Sequence, residues 1–304
     1  LYNKTITMKI LHKAGLFVFA LFATGAAITG CQKLDRPGMT DYPQDANPPG
    51  GPLKFYTAFD GTTSDPKMNA VDSVRVNFPA DNPLAAIDGI SGKGVQGESK
   101  KYIRYASFND WAQSKSFTVS AWFKKNGQTT NNTGGNGPEY IFSLRSSDAS
   151  YHWSNGIMFL FLEGNNNACA VKAMCVSPSD PANGNSSATD VWFTWENDQM
   201  IPGLLDNNWH HLALVYDEAT SQMKLYIDGV QNPNVKSWAN HGPIRLANLK
   251  IGEARIGRGP RNDSDGDGEG GWLQSSFKGG LDQFRLYGTA LTAAEIGTIF
   301  TSKK

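Results

Sequence analysis

The chain has 304 residues, and its 28 lysines and arginines balance 28 aspartates and glutamates, so its formal charge at pH 7 is zero. That balance leaves no basic excess of the kind nucleic acid requires. With 32 glycines and 39% apolar residues, the composition is that of a turn-rich globular protein.

Met8 opens a short basic stretch (Lys9, His12, Lys13), and an apolar and small-residue run follows from Gly15 to Ile28. The run is too short to span a bilayer comfortably and reads as the core of a secretion signal. It ends in Ile28-Thr29-Gly30-Cys31, which resembles the lipobox of bacterial lipoproteins. The resemblance implies that residues 1–30 are removed and that Cys31 carries lipid. The membrane would then hold the protein through its N-terminus instead of being crossed by it. The expected location is the bacterial cell envelope, on the outer membrane, with exposure at the cell surface left open. Residues 31–52 form the lipidated cysteine and a tether rich in proline and glycine, which cannot build a core.

The folded part is expected over 53–304. In "FTVSAWFKK", Phe117, Val119, Ala121 and Phe123 fall on one face of a strand. Leu212, Leu214 and Tyr216 alternate up a second strand, a polar turn follows at 217–221, and Met223, Leu225 and Ile227 alternate down a third. Asp228-Gly229 then marks another tight turn. "IRLANLKIGEARIG" and "FKGGLDQFRLYG" repeat the theme, and Thr292-Ala293-Ala294-Glu295 has the spacing of a capping box before a short helix. The fold class is therefore all-β, an antiparallel sandwich with a short C-terminal helix. Three segments without periodicity, 126–138, 163–190 and 258–272, read as inserted loops.

Five stretches follow one another in order: "FDG" at 59–61, "FTVSAWFK" at 117–124, "WHHLALVYD" at 209–217, "MKLYIDGV" at 223–230 and "FKGGLDQFRLYGTALTAAEI" at 277–296. Together they resemble the laminin-G-like, concanavalin A-like jelly-roll domains of exported bacterial proteins, of a type found in Bacteroidetes envelope lipoproteins. The resemblance implies two packed antiparallel sheets, with Trp122 and Trp209 on core strands. It also implies a structural Ca2+ between the first and last strands, with Asp60 and Asp282 as ligands. Asp282 shares strand parity with Phe284 and Leu286 and is expected to point inward.

A second calcium candidate is read from "RNDSDGDGEGGW". Asp263, Asp265 and Asp267 alternate before Gly268, and Glu269 offers its carbonyl, a half-match to the calcium-loop pattern. Gln274 stands where that pattern supplies a bidentate glutamate. An acidic solvated turn is the alternative. In an exported protein the pair Cys169 and Cys175 invites a disulfide.

Sugar recognition needs flat aromatic faces together with polar groups for the hydroxyls. Trp195 and Trp192 fall on opposite faces of the stretch "VWFTW", one of which must be less buried, and Trp153, Trp238 and Trp272 lie in or beside Gly/Asn-rich stretches. All five are candidates, each with a packing role as the alternative. "WEND" pairs Glu196 with Asp198 on one prospective strand face, but the multi-carboxylate strand that glycosidases of related folds use is missing. His210 and His211 are expected on opposite faces of their strand. The first reading is an envelope-anchored, lectin-like module that binds a glycan or polysaccharide. The second is an adhesion or scaffold lipoprotein that contacts a protein partner, and the third is a glycosidase or polysaccharide lyase.

Overall fold

The computed structural model describes residues 51–60, 83–105, 111, 114–131, 134–146, 155–177, 189–239, 241–244, 251–261 and 272–303. All of them fall in one compact unit, Asn47–Lys304. The strands in chain order are β1 (Leu53–Thr57), β2 (Ala85–Asp88), β3 (Lys93–Gln96), β4 (Ile103–Tyr105), β5 (Phe117–Asn126), β6 (Glu139–Ser146), β7 (Gly156–Gly164) and β8 (Cys169–Ser177). They continue with β9 (Thr189–Trp195), β10 (Asp206–Asp217), β11 (Gln222–Ile227), β12 (Val230–Gln231), β13 (Lys236–Ser237), β14 (Ile251–Ile256) and β15 (Gly280–Tyr287). Helix α1 (Ala293–Ser302) closes the series.

The strands form two sheets. One has nine strands in the order β12-β11-β10-β5-β15-β3-β2, with β1 also on β15 and β13 also on β11. The other has six, in the order β4-β14-β6-β7-β8-β9. All pairings between the named strands are antiparallel. The alternation expected in β5 is the packing observed. Phe117, Val119, Ala121 and Phe123 enter the main core with Phe142, Leu144, Leu160 and Phe193 of the opposing sheet. The hairpin expected at 209–230 is β10–β11, with Leu214 opposite Leu225.

Thr292 caps α1 as its spacing predicts. Its hydroxyl accepts from Glu295 N, and the Glu295 carboxylate accepts from Thr292 N at 2.7 Å. Ile296 of the helix and Leu291 before it bury against Ala213, Val215, Tyr226 and Tyr287. The helix thus covers part of the outer face of the nine-stranded sheet.

Two expectations fail here. Cys169 and Cys175 are free and buried. Both lie on β8, six residues apart along one extended strand, which separates their Cα atoms by about 20 Å. A disulfide tolerates no more than about 7 Å. The segment 163–190 is likewise not one inserted loop, because β8 lies within it as a central strand between β7 and β9.

Candidate functional site

Strands β6, β7 and β8 are buried on both faces. Their core-facing side chains include Leu144, Leu160 and Ala173. The residues between them face away from the other sheet and form continuous rungs. Arg104, Arg255, Ser143, Phe159, Met174 and Trp192 stand side by side across all six strands. Tyr140, Phe161, Lys172 and Thr194 form the next rung on β6 to β9.

Trp272 reaches this face from a two-stranded ribbon made by 257–261 and 273–277. Gly259 N donates to Ser275 O, and Arg261 N donates to Leu273 O, both at 3.1 Å. The indole stands edge-on to Phe161, with centroids 5.2 Å apart, and tilts against Trp192 at 5.5 Å. Tyr140 and Phe159 complete the support. Trp272 is 39% exposed, the one aromatic among the exposed large hydrophobic residues described. Trp192 is half-buried beside it and donates its indole N–H to Asp190. A rigid aromatic platform results, with one ring open to solvent.

Polar groups flank the platform on both sides. Toward β9, Lys172 Nζ bridges Glu163 at 3.0 Å and Glu196 at 2.8 Å. The bond from Lys172 holds the Glu196 carboxyl below its ordinary pKa. Toward β4, Arg104, Arg145 and Arg255 converge on Glu253. The Tyr102 ring lies under the guanidinium groups of Arg255 and Arg258, at 5.0 and 5.2 Å. Glu163 and Glu196 face each other only through one ammonium. Glu196, with its carboxyl held low, lacks the raised pKa of the acid that glycoside cleavage uses.

A separate cluster joins the first strand, the last strand and the β2–β3 turn. Asp282 is fully buried. Its Oδ2 accepts from Ile90 N at 2.8 Å, while its Oδ1 makes no hydrogen bond. Burial, with the nearby Asp60 charge adding, pushes its carboxyl up to about 7 against the bonds from Ile90, Ser91 and Gln283. Asp60 Oδ1 accepts from Lys93 N at 2.7 Å. The turn wraps both carboxylates closely. A methyl group on Gly89 would run into Asp282 Oδ2, and one on Gly92 would run into Asp60 Oδ1. Gly92 also has φ +69°, which a side chain would strain.

Asp282 does not share a face with Phe284 and Leu286, as simple alternation implies. Gln283 takes φ +46°, and the register to β5 slips between Asp282 and Arg285. The bulge turns Asp282 to the side of Trp122, its partner across β5, and away from the core side of Leu286.

Sequence comparison matches residues 97–297 to the model of a laminin G-like family described as the concanavalin A-like lectin/glucanases superfamily. The chain belongs to that superfamily. No curated protein matches it. Among solved structures, the botulinum neurotoxin serotype D binding domain is similar at TM-score 0.50 and 13% identity, over 83% of this chain and 51% of that one. Domain 4 of AbnA, a GH43 extracellular arabinanase from Geobacillus stearothermophilus in complex with arabinotriose, gives TM-score 0.45 and 19% identity, over 81% and 97%. The Ruminococcus gnavus IT-sialidase CBM40 bound to alpha2,3 sialyllactose gives 0.44 and 12%, over 68% and 96%. The chain spans about half the length of the toxin chains it matches.

Within this superfamily fold the expected site residues divide. Trp192 and Trp272 come together on the outer face. Trp195 and Trp238 do not join them. Trp195 is fully buried and donates to Asn234 O, and Trp238 is 8% exposed under the stacked ring of His241. Both are core residues, because odd-numbered positions of β9 face the opposing sheet and Trp238 packs on Phe193 and Tyr216. The pairing in "WEND" also dissolves. Strand β9 ends at Trp195, and Asp198 falls in a 3-10 turn over Asn197–Gln199. His210 and His211 do point apart, one to Asp228 and Asp206, the other to Ser120. Trp209 lies on β10, an inner strand of the nine-stranded sheet, and packs its half-buried ring on the outer face near Gly94 and Gly280. Cys31, Trp153, Asp263, Asp265, Asp267 and Glu269 lie outside the described residues. Sequence reading missed the flanks (Tyr102, Arg104, Arg145, Lys172, Glu253, Arg255). The signal available was the alternation of Glu253 and Arg255 within "GEARIG", which places two charges on one strand face.

Proposed function

We propose that this protein is a non-catalytic, glycan-binding module carried on the bacterial envelope by lipid at Cys31. The observation that carries the reading is the solvent-open Trp272 indole beside Trp192, on a floor of buried aromatic rings. An exposed indole held rigid by its neighbours suits the C–H face of a sugar ring. Charged groups on either side, at Lys172–Glu196 and at Arg104–Glu253, suit its hydroxyls. The fold supports the reading without determining it, because this architecture serves many functions. The lipidation part rests on the N-terminal sequence alone.

Calcium enters as a structural ion at Asp60 and Asp282. Among the described residues no cluster of three or more His, Cys, Asp or Glu exists. An ion here would take two carboxylates and complete its oxygen shell from backbone carbonyls and water. The residues fit such an ion. Asp282 carries a buried carboxylate with one oxygen unbonded, Asp60 stands beside it, and glycines hold the turn close to both. Calcium would neutralise the pair and fix the β2–β3 turn. A glycan array probed with the purified protein, in calcium and again in chelator, tests both parts. Binding in either condition supports the module. Silence in both, with retention by envelope proteins, would transfer the assignment to protein adhesion.

A further inference from the structure

We propose a second ligand site, on the outer face of the nine-stranded sheet, that takes a single pyranose bearing a carboxylate. It is independent of the Trp272 platform, which lies on the other sheet. A cleft of about 420 Å³ opens where β2, β3, β15, β5 and β10 run side by side. Its floor is the backbone at Gly279 and Gly280, and its rim carries Lys124, Lys278, Gln96, Asn126 and Asn207.

The sequence builds this floor deliberately. Gly280 lies between Gln96 and Lys124 across the strands. A methyl group on Gly280 would come within 2.8 Å of the Trp209 indole and 3.0 Å of Ile87. One on Gly279 would collide with Lys124 O. Side chains at 279 and 280 are therefore excluded, and the Trp209 ring and Ile87 take the space over Gly280 that a side chain would need. The register of β10 against β5 slips between Asp206 and Trp209, and Asn207 takes φ +71° within that bulge. The bulge puts the Asn207 amide at the rim. His210 and Asn208 hold Asp206, so the rim has fixed support.

The chemistry of the lining selects the ligand. Lys124 is half-buried on β5 and makes no ion pair or side-chain hydrogen bond among the described residues. Lys278 points its ammonium at Thr130 O, so it contributes positive field more than a bond. The aspartate at the cleft, Asp88, is already bridged to Lys93 at 2.6 Å. The local balance favours an anion. A bare inorganic oxyanion would leave most of the volume to water, since pockets that hold organic ligands start at about 300 Å³. Three amides around one ammonium match the hydroxyls and the carboxylate of a uronic acid residue.

The test is a 1H–15N NMR titration of the purified protein with glucuronate and with galacturonate, against glucose, galactose and sodium acetate. The proposal expects the uronates to shift the backbone amides of Gly279, Gly280 and Asn126. It expects Lys124→Met to weaken that response about tenfold, Asn126→Ala to weaken it less, and Trp272→Ala to leave it unchanged. Static amides at millimolar uronate would overturn the site. Equal shifts with the neutral sugars, or with acetate, would overturn the ligand class. A glycan array silent for the wild type would count against the Trp272 platform and leave this titration to be judged alone.

Discussion

Asp282→Asn separates a metal ligand from a structural residue. The wild-type carboxyl is displaced by burial from its ordinary value of 3.8 to about 7. A folded-state pKa raised in this way gives stability that is complete below the unfolded value and lost as pH rises through about 7. At about pH 8 in chelator the ionised form costs up to about 4 kcal/mol, at 1.36 kcal/mol per unit. The asparagine keeps an oxygen for Ile90 N, but places an amide where Oδ1 had no partner. That unpaired amide costs about 1–3 kcal/mol. The net expectation in chelator is a gain of about 1–3 kcal/mol, which for a domain of this size is about 2–12 °C in melting temperature. Calcium reverses the order. At a hundred times its Kd it stabilises the wild type by about 2.7 kcal/mol and the variant little. The assay is thermal unfolding at about pH 8 with calcium and with chelator. A variant less stable than wild type in chelator, together with equal calcium responses, would refute the reasoning.

Other consequences follow from single side chains. His210 sits between Asp228 at 2.8 Å and Asp206 at 3.1 Å, and the Asp228 bond foremost raises its pKa against the effect of burial. Its contribution is complete below about 6.5 and is lost as pH rises through the raised folded value. Urea midpoints should show His210→Asn costing more at acid pH than at alkaline pH, and equal costs would remove the ion pair from the account. Burial pushes the Cys169 thiol up to about 12 and Cys175 higher still. Under native conditions neither should react with iodoacetamide, and mass spectrometry after unfolding should find both as thiols. Thr292→Ala removes the hydroxyl that accepts from Glu295 N, leaves the backbone N–H bond to the Glu295 carboxylate, and should cost about 1 kcal/mol in chemical denaturation.

The parts of the fold legible in the sequence were those where one face is core and the other is not. In β5, β10 and β11 the apolar residues alternate, and the period gave strand, face and hairpin. The Thr292 cap was legible because its residues lie within one turn of chain. Strand β8 is not legible because both of its faces are buried, so Cys169 to Cys175 shows no clean alternation and the pair resembles a stapled loop. Asp282 departs from simple alternation for a different reason. A bulge at Gln283 reverses parity, and nothing in "GLDQF" marks it. At the aromatic face, single-residue reasoning could name Trp272 and Trp192 but could not reject Trp195 and Trp238. Whether an indole is core or platform depends on which sheet stands opposite it. The guanidinium flank was harder still, since Arg104, Arg145 and Arg255 meet Glu253 only through pairings that bring distant segments together.

The central claim is that the outer face of the six-stranded sheet binds glycans, and the direct measurement is affinity for the best array ligand in wild type, Trp272→Ala and Trp192→Ala. The account predicts that losing the exposed indole weakens binding at least about tenfold, roughly 1.4 kcal/mol, with the fold intact by circular dichroism. Unchanged affinity in both variants would contradict it and place the glycan elsewhere on the molecule.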